Sequence, residues 1–435
     1  MQILHITVHM GGGAGNAIST MILNDTDDLH RLICLQGSEK RQYIDRCLQS
    51  NVSVWEIPSK EILETQLKWA DVVILHWWHH PLMCGFLADF TAEIPVRIVL
   101  WAHISGCAYP VLQEEFALKF ERVFVTTPFS FENKEWSEEG RQAICDKAAV
   151  VYGIGRLDSE VFQLKNHIKK EECVIGYVGT LGKAKIHPRY VDFCAEVIRK
   201  VPTCRFLMVG DTEEAGWLLE EIEQRGLQDY FQFTGYCNNV PEMLGRMDVF
   251  AYPLNPQHFG TTENVILEAM LSGLPVVLLN QNTEKYIVDD WETGVLIRTK
   301  EEYAEAIYKL WGEPNLRNVI GCNARQYVMK QYRPERNTAV FHENIQQIMK
   351  KPKHHISFRE LSGEMPYEWF LYGMDKETKS VFELERANQD VLKHYLQNGA
   401  EILRGQSKSS IGHFLSFYPD DKQLLFWKHL MDDRQ

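Results

Sequence analysis

Apolar residues along the first 350 positions fall in short, β-branched runs separated by stretches with helical spacing. Runs at Ile3–Val8, Arg31–Leu35, Val52–Ile57, Asp71–His76, Val96–Trp101, Arg122–Thr126 and Ala149–Val151 read as strands, with helical patterns between most of them. Strands that alternate with helices predict an α/β domain with a parallel, doubly wound sheet. Residues 156–172 are polar, with Lys165, Lys169 and Lys170, and read as a linker. A second alternation starts at Cys173 and runs through Arg205–Gly210, Phe231–Thr234 and Met247–Pro253 to helical patterns at Glu301–Trp311, Leu316–Tyr332 and Asn337–Lys350. After Lys351 the pattern changes to aromatic residues at helical spacing, over 378–403 and 420–431. The domains expected are 1–160, 161–350 and a mostly helical extension, 351–435. That extension either packs on the core or binds an acceptor or partner.

The stretch 259–280 breaks the amphipathic rule. A helix is expected from about Thr262 to Ser272, stopped by Gly273, with Pro275 opening a buried strand. It is apolar nearly all round, yet Glu268 sits in its middle with no Lys or Arg within a turn. A buried carboxylate without a partner costs several kcal/mol, so Glu268 is expected to meet a ligand or a distant group. Asn264 lies one turn earlier on the same face, and free N–H groups at Thr262, Glu263 and Asn264 would make the helix start an anion site. Such a helix can hold a diphosphate at its N-terminus and a pair of ribose hydroxyls one turn in. The plainer reading is a capped core helix.

Two strands run into glycine loops: Gly11-Gly12-Gly13-Ala14-Gly15 after the first, and Gly179-Thr180-Leu181-Gly182-Lys183-Ala184-Lys185 after Cys173–Val178. The first lacks both dinucleotide spacing and a P-loop lysine, and is read as a tight turn or a close approach to ligand. The second carries lysines that can neutralise a leaving diphosphate. Ligands of doubly wound sheets bind beyond the carboxyl ends of the strands, where Trp77-Trp78-His79-His80 and His103 fall. Rings and imidazoles there suit sugar recognition or simple packing. His79 and His80 are adjacent and do not form an i,i+4 metal pair, so no metal is expected.

A formal net charge of −13, concentrated before residue 350, argues against a nucleic-acid binder. The ten cysteines show no ligand spacing and suit a reducing, cytoplasmic setting. No apolar run reaches the ~18 residues a membrane span needs, which leaves peripheral membrane contact at most.

Glu268-Ala269-Met270, Gly273 and Pro275-Val276-Val277 resemble, in order, the donor-site signature of GT-B glycosyltransferases of the GT4 type. The Phe233–Tyr236 and Met247–Pro253 segments match the same family in order. Where the family has a first glutamate, eight residues before the second, this chain has Gly260; the nearest acid is Glu263. Thr180 stands at the position of a phosphate-binding Arg, and Lys185 at that of the Lys. The resemblance implies two facing Rossmann-like domains and transfer of a sugar from a nucleotide-diphosphate sugar, with retention of configuration and no protein nucleophile. It implies His103, Lys185 and Glu263 as catalytic residues. It implies donor contacts from Gly12, Gly13, Gly179, Thr180, Lys183, Lys185, Gly235, Tyr236, Thr262, Glu263, Asn264 and Glu268. No cofactor beyond the nucleotide-sugar co-substrate is expected, and the acceptor is a glycan, a lipid-linked molecule or a protein. A nucleotide-sugar epimerase on the same scaffold and a catalytically impaired nucleotide-binding module are the alternatives.

Overall fold

The computed structural model describes residues 1–435 except 90–92, 259, 384–388, 400–402, 404–407 and 433–435. It divides into two compact units, Met1–Gly155 with Pro334–Gln435, and Arg156–Arg333.

The first unit holds β1 (Gln2–Thr7), β2 (Leu29–Cys34), β3 (Ser53–Glu56), β4 (Val72–Trp77), β5 (Ile98–Ala102), β6 (Arg122–Val125) and β7 (Ala148–Val150). They form one sheet in the order β3-β2-β1-β4-β5-β6-β7, and every pairing is parallel. β4 is buried at every residue, as a strand covered on both faces must be. One face packs Ile3, Ile74, Val99, Trp101 and Phe124 against Phe341, Ile345 and Ile348. The last three lie on the helix Pro334–Ile348, which packs in the first unit; the sequence reading has it close residues 161–350 by crossing back to the first domain.

The extension also joins the first unit. Its helices Pro366–Tyr372, Lys376–Glu383, Ile411–Phe417 and Lys422–Asp432 bury Phe370, Phe382, Phe414 and Trp427 in a shared aromatic cluster. Gln113 Nε2 donates to the carbonyls of Tyr372 (2.9 Å) and Met374 (2.7 Å), tying extension to sheet domain. Of the helical pattern expected across 378–403, Lys376–Glu383 and Gln389–His394 are helical, and 384–388 and 400–402 lie outside the described residues.

The second unit holds β8 (Cys173–Val178), β9 (Cys204–Val209), β10 (Phe231–Phe233), β11 (Val249–Tyr252), β12 (Val276–Leu279) and β13 (Val295–Ile297), in the order β10-β9-β8-β11-β12-β13, again all parallel. Both sheets are doubly wound as expected. β13 is a three-residue edge strand, too short to show periodicity.

Residues 156–172 are not a free linker. Lys165 N–H donates to the Ser272 carbonyl at 2.9 Å, and the His167 ring bonds the Gly273 carbonyl at 2.9 Å. Asp248, nearly buried, takes Lys170 at 3.0 Å and Lys165 at 3.7 Å. Two of the three lysines that gave the stretch its polar look, Lys165 and Lys170, are partners for a buried carboxylate.

Candidate functional site

In each sheet the strand order reverses once, between β1 and β4 and between β8 and β11, and such switch points open a crevice at the carboxyl ends. The two glycine loops follow β1 and β8, so both stand at a switch point.

In the second unit Gly179 leaves β8 at φ +151°, and a Cβ there would lie 2.9 Å from the Tyr252 hydroxyl, so only glycine fits. The loop then returns to β11: Asn255 N–H donates to the Lys185 carbonyl (2.9 Å) and Asn255 Nδ2 to that of Lys183 (2.8 Å). This places Lys185 Nζ 2.7 Å from both carboxylate oxygens of Glu263. The Glu263 side chain is only 7% exposed. Burial alone would raise its carboxyl pKa, but Lys185, with His258 nearby, outweighs that and holds it below the usual carboxylate range. Glu263 has a left-handed backbone, φ +49°, an uncommon conformation for a residue with a side chain.

That backbone shifts the helix start. The helix runs Asn264–Leu271, so Thr262 and Glu263 precede it rather than opening it, and Ile266 N–H is already bonded to the Glu263 carbonyl at 2.9 Å. The helix start therefore lies at Asn264, two residues beyond the expected Thr262. Thr262 is buried, and Phe259 lies outside the described residues.

Glu268 lies on this helix between buried Leu267 and Ala269. Its carboxylate has no ion-pair partner among the described residues, and burial pushes its pKa up to about 7. Lys183 is not brought to the Lys185–Glu263 pair: it is exposed, 5.8 Å from the Trp217 ring. Thr180 is exposed, its carbonyl accepting from the Tyr177 hydroxyl at 2.9 Å. Gly235, at φ +72°, follows β10, and Tyr236 beside it is 62% exposed.

His258 and Glu284 escaped the sequence reading. His258 Nδ1 accepts from Gly260 N–H at 2.9 Å, and Nε2 bonds Glu284 at 3.0 Å. Both side chains are buried, so the pair fixes the turn that carries Glu263. Neither residue sits in a pattern that announces the other, since the contact spans two loops.

In the first unit the glycine turn is short: the first helix, Gly12–Asn24, starts inside the glycine run and includes Gly13. Gly15 is required by contact, since a Cβ there would lie 2.0 Å from the Met10 carbonyl oxygen. His103, just beyond β5, ends a row of imidazoles. His103 Nε2 lies 2.9 Å from His76 Nδ1, His76 Nε2 2.9 Å from His5 Nδ1, and His5 Nε2 2.9 Å from His30 Nδ1. His30 Nε2 then faces Asp25 at 3.4 Å. Burial would raise the Asp25 carboxyl, but His30 and His342 hold it below its ordinary value, so the row ends on a carboxylate. Burial drives His5 and His76 far down and His103 to about 3, so these three are neutral near pH 7. A neutral imidazole donates once and accepts once. The three neutral rings must therefore hydrogen-bond in one direction along the row, and that direction sets whether His103 Nδ1 accepts or donates.

His79 and His80 serve local structure as well. The His79 ring bonds the Trp369 carbonyl (2.9 Å), and His80 Nδ1 accepts from Leu82 N–H (3.1 Å), capping a helix.

Residues 158–327 match the family model described as Glycosyl transferases group 1. Alpha-D-kanosaminyltransferase of Streptomyces kanamyceticus is 30% identical over 156 residues, 35% of this chain and 39% of that protein. N-acetyl-alpha-D-glucosaminyl L-malate synthase of Bacillus anthracis is 24% identical over 297 residues, 65% of this chain and 76% of that protein. Among solved structures, Anabaena HepE in complex with UDP shares the fold with a TM-score of 0.65 at 16% identity, over 80% of this chain and all of that one. The same protein has been solved with UDP-glucose, with a TM-score of 0.62 at 17% identity over the same shares of the two chains. Residues 158–327 thus carry the glycosyl transferases group 1 signature, on a chain with a GT-B fold.

Proposed function

We propose that the protein transfers a sugar from a uridine-diphosphate sugar to an acceptor, with the donor held by the second unit. The observation that carries this is the half-buried Glu268 carboxylate, without an ion-pair partner among the described residues, on the helix that follows the Lys185–Glu263 turn. A ribose diol satisfies such a carboxylate with two O–H donors, and Lys185 supplies charge for a diphosphate. Tyr236, exposed beside Gly235, offers a ring to the base. UDP and UDP-glucose in the solved HepE complexes support uridine as the base.

In this reading Glu263 takes the role of the family's first glutamate, although Gly260 occupies that place in the sequence. Donor diphosphate draws Lys185 from Glu263 and frees the carboxylate for the sugar. His103 Nδ1 accepts from a hydroxyl of the transferred sugar. The acceptor oxygen bonds the anomeric carbon as the bond to the diphosphate breaks, and the acceptor proton passes to a phosphate oxygen, with retention. Stabilising charge on the leaving diphosphate is the main catalytic contribution of these residues. We place the reaction in the cytoplasm, where ten free cysteines stay reduced; among the described residues no helix is long and apolar enough to cross a membrane.

Incubation with radiolabelled UDP-, GDP- and ADP-sugars tests the proposal. Release of UDP with transfer or slow hydrolysis is expected. An isomerised sugar would mark an epimerase, and binding without turnover an impaired module.

A further inference from the structure

The first unit contains a pocket of about 430 Å³ outside the imidazole row. One wall is the turn after β1, with His9, Gly11 and Gly12; the other is the extension, with Lys408, His413, Ser416 and Phe417; His80 lies between them.

Its three imidazoles share one arrangement. His9 Nδ1 accepts from Gly11 N–H at 3.0 Å, His80 Nδ1 from Leu82 N–H at 3.1 Å, and His413 Nδ1 from Ser409 N–H at 3.0 Å. With each Nδ1 lone pair taken, each ring carries its proton on Nε2. None of these Nε2 atoms has a protein partner among the described residues, and His80 is 4% exposed. Burial lowers the pKa of His9 to about 4, of His80 to about 2 and of His413 to about 4, so all three are neutral donors near pH 7. The Lys408 ammonium adds further donors.

Acceptors are fewer: the Gln36 amide oxygen and, at the rim, the Glu39 carboxylate. Ser38 Oγ takes Met10 N–H (3.0 Å), and Ser416 Oγ donates to the His413 carbonyl (2.7 Å). Glu39 and Lys40, of opposite charge, are both exposed at the rim. A neutral sugar needs acceptors as well as donors, because each hydroxyl brings a proton, whereas an anionic group only accepts. Phe417, 5.0 Å from the His80 ring and 5.5 Å from His413, offers an apolar face beside these donors.

We infer that this pocket binds an acidic group of the acceptor, a carboxylate or phosphate on a sugar-sized molecule, and that the extension builds half of it. Only the word acceptor rests on the transferase reading; the preference for acidic ligands stands on the pocket.

Calorimetric titration of the full-length protein with D-glucuronate, D-glucose 6-phosphate and D-glucose tests it. At least one acidic hexose is expected to bind roughly tenfold or more tightly than glucose, as charge-assisted hydrogen bonds require. The two acidic arms tell carboxylate from phosphate. Lys408→Met and His413→Phe should each abolish that margin while UDP affinity stays unchanged. Equal binding of glucose, no binding of either acid, or an unaffected Lys408→Met overturns the inference. Loss of UDP binding in the unaltered protein would instead count against the transferase reading.

Discussion

His103 Nε2 stands 2.9 Å from His76 Nδ1, and through His5 and His30 this contact links the carboxyl end of β5 to Asp25, beyond the first helix. Asp25, 3.4 Å from His30 Nε2, is the group expected to set the direction of the row, with Nε2 of each ring protonated. Asp25→Leu removes the anchor and makes both directions possible. Imidazole 15N spectra should show one His103 tautomer, unprotonated at Nδ1, in the unaltered protein and a mixture in the variant. UDP-glucose hydrolysis should fall roughly tenfold, as loss of one hydrogen bond at the sugar implies, with UDP affinity unchanged. A single tautomer in both proteins contradicts the assignment.

Lys185 and Glu263 form a pair whose carboxylate is buried and whose amine is a quarter exposed. Lys185→Ala strands the carboxylate. The expected loss is about 1–3 kcal/mol, less than for a fully buried pair because water still reaches the lysine side. Adding Glu263→Gln should recover part of that stability in thermal unfolding, while turnover stays low in both variants. Additive losses in the double mutant would show that the two groups do not interact.

Glu268 gives the donor site a pH dependence. Its folded pKa of about 7 lies above the ordinary carboxylate range, so the empty protein holds this proton longer than the unfolded chain. Stability from this group is therefore full at low pH, declines as pH rises from the ordinary carboxylate range to about 7, and then levels. Ribose hydroxyls favour the ionised form, so affinity for UDP-glucose should weaken as pH falls below about 7. Near neutrality, binding should release protons, detectable by calorimetry in buffers of different ionisation heat. Glu268→Gln should release none; equal release by both proteins assigns the proton elsewhere.

Much of this was readable from the chain because strands and their loops are local patterns. Cys173–Val178 is the strand β8 at the expected bounds, and the isolation of Glu268 was visible because no cation lies within a turn. What failed to show depends on distant contacts. Residues 156–172 look like a linker until Asp248 is placed beside Lys165 and Lys170. The helix start moved past Glu263 because the ion pair with Lys185, 78 positions away, accompanies a left-handed turn no local rule proposes. His5, His30 and His76 drew no notice as single residues on strands; only the parallel register brings their rings into line with His103.

Titration of UDP-glucose into the unaltered protein and into Glu268→Gln tests the donor site most directly. The substitution keeps the side chain's shape and removes the charge that accepts from the ribose. Affinity should fall by about 1.5–3 kcal/mol, the range for hydrogen bonds to a charged group, with the melting temperature of the empty protein unchanged or raised. Equal affinity for UDP-glucose in the two proteins would contradict the donor site built around Glu268.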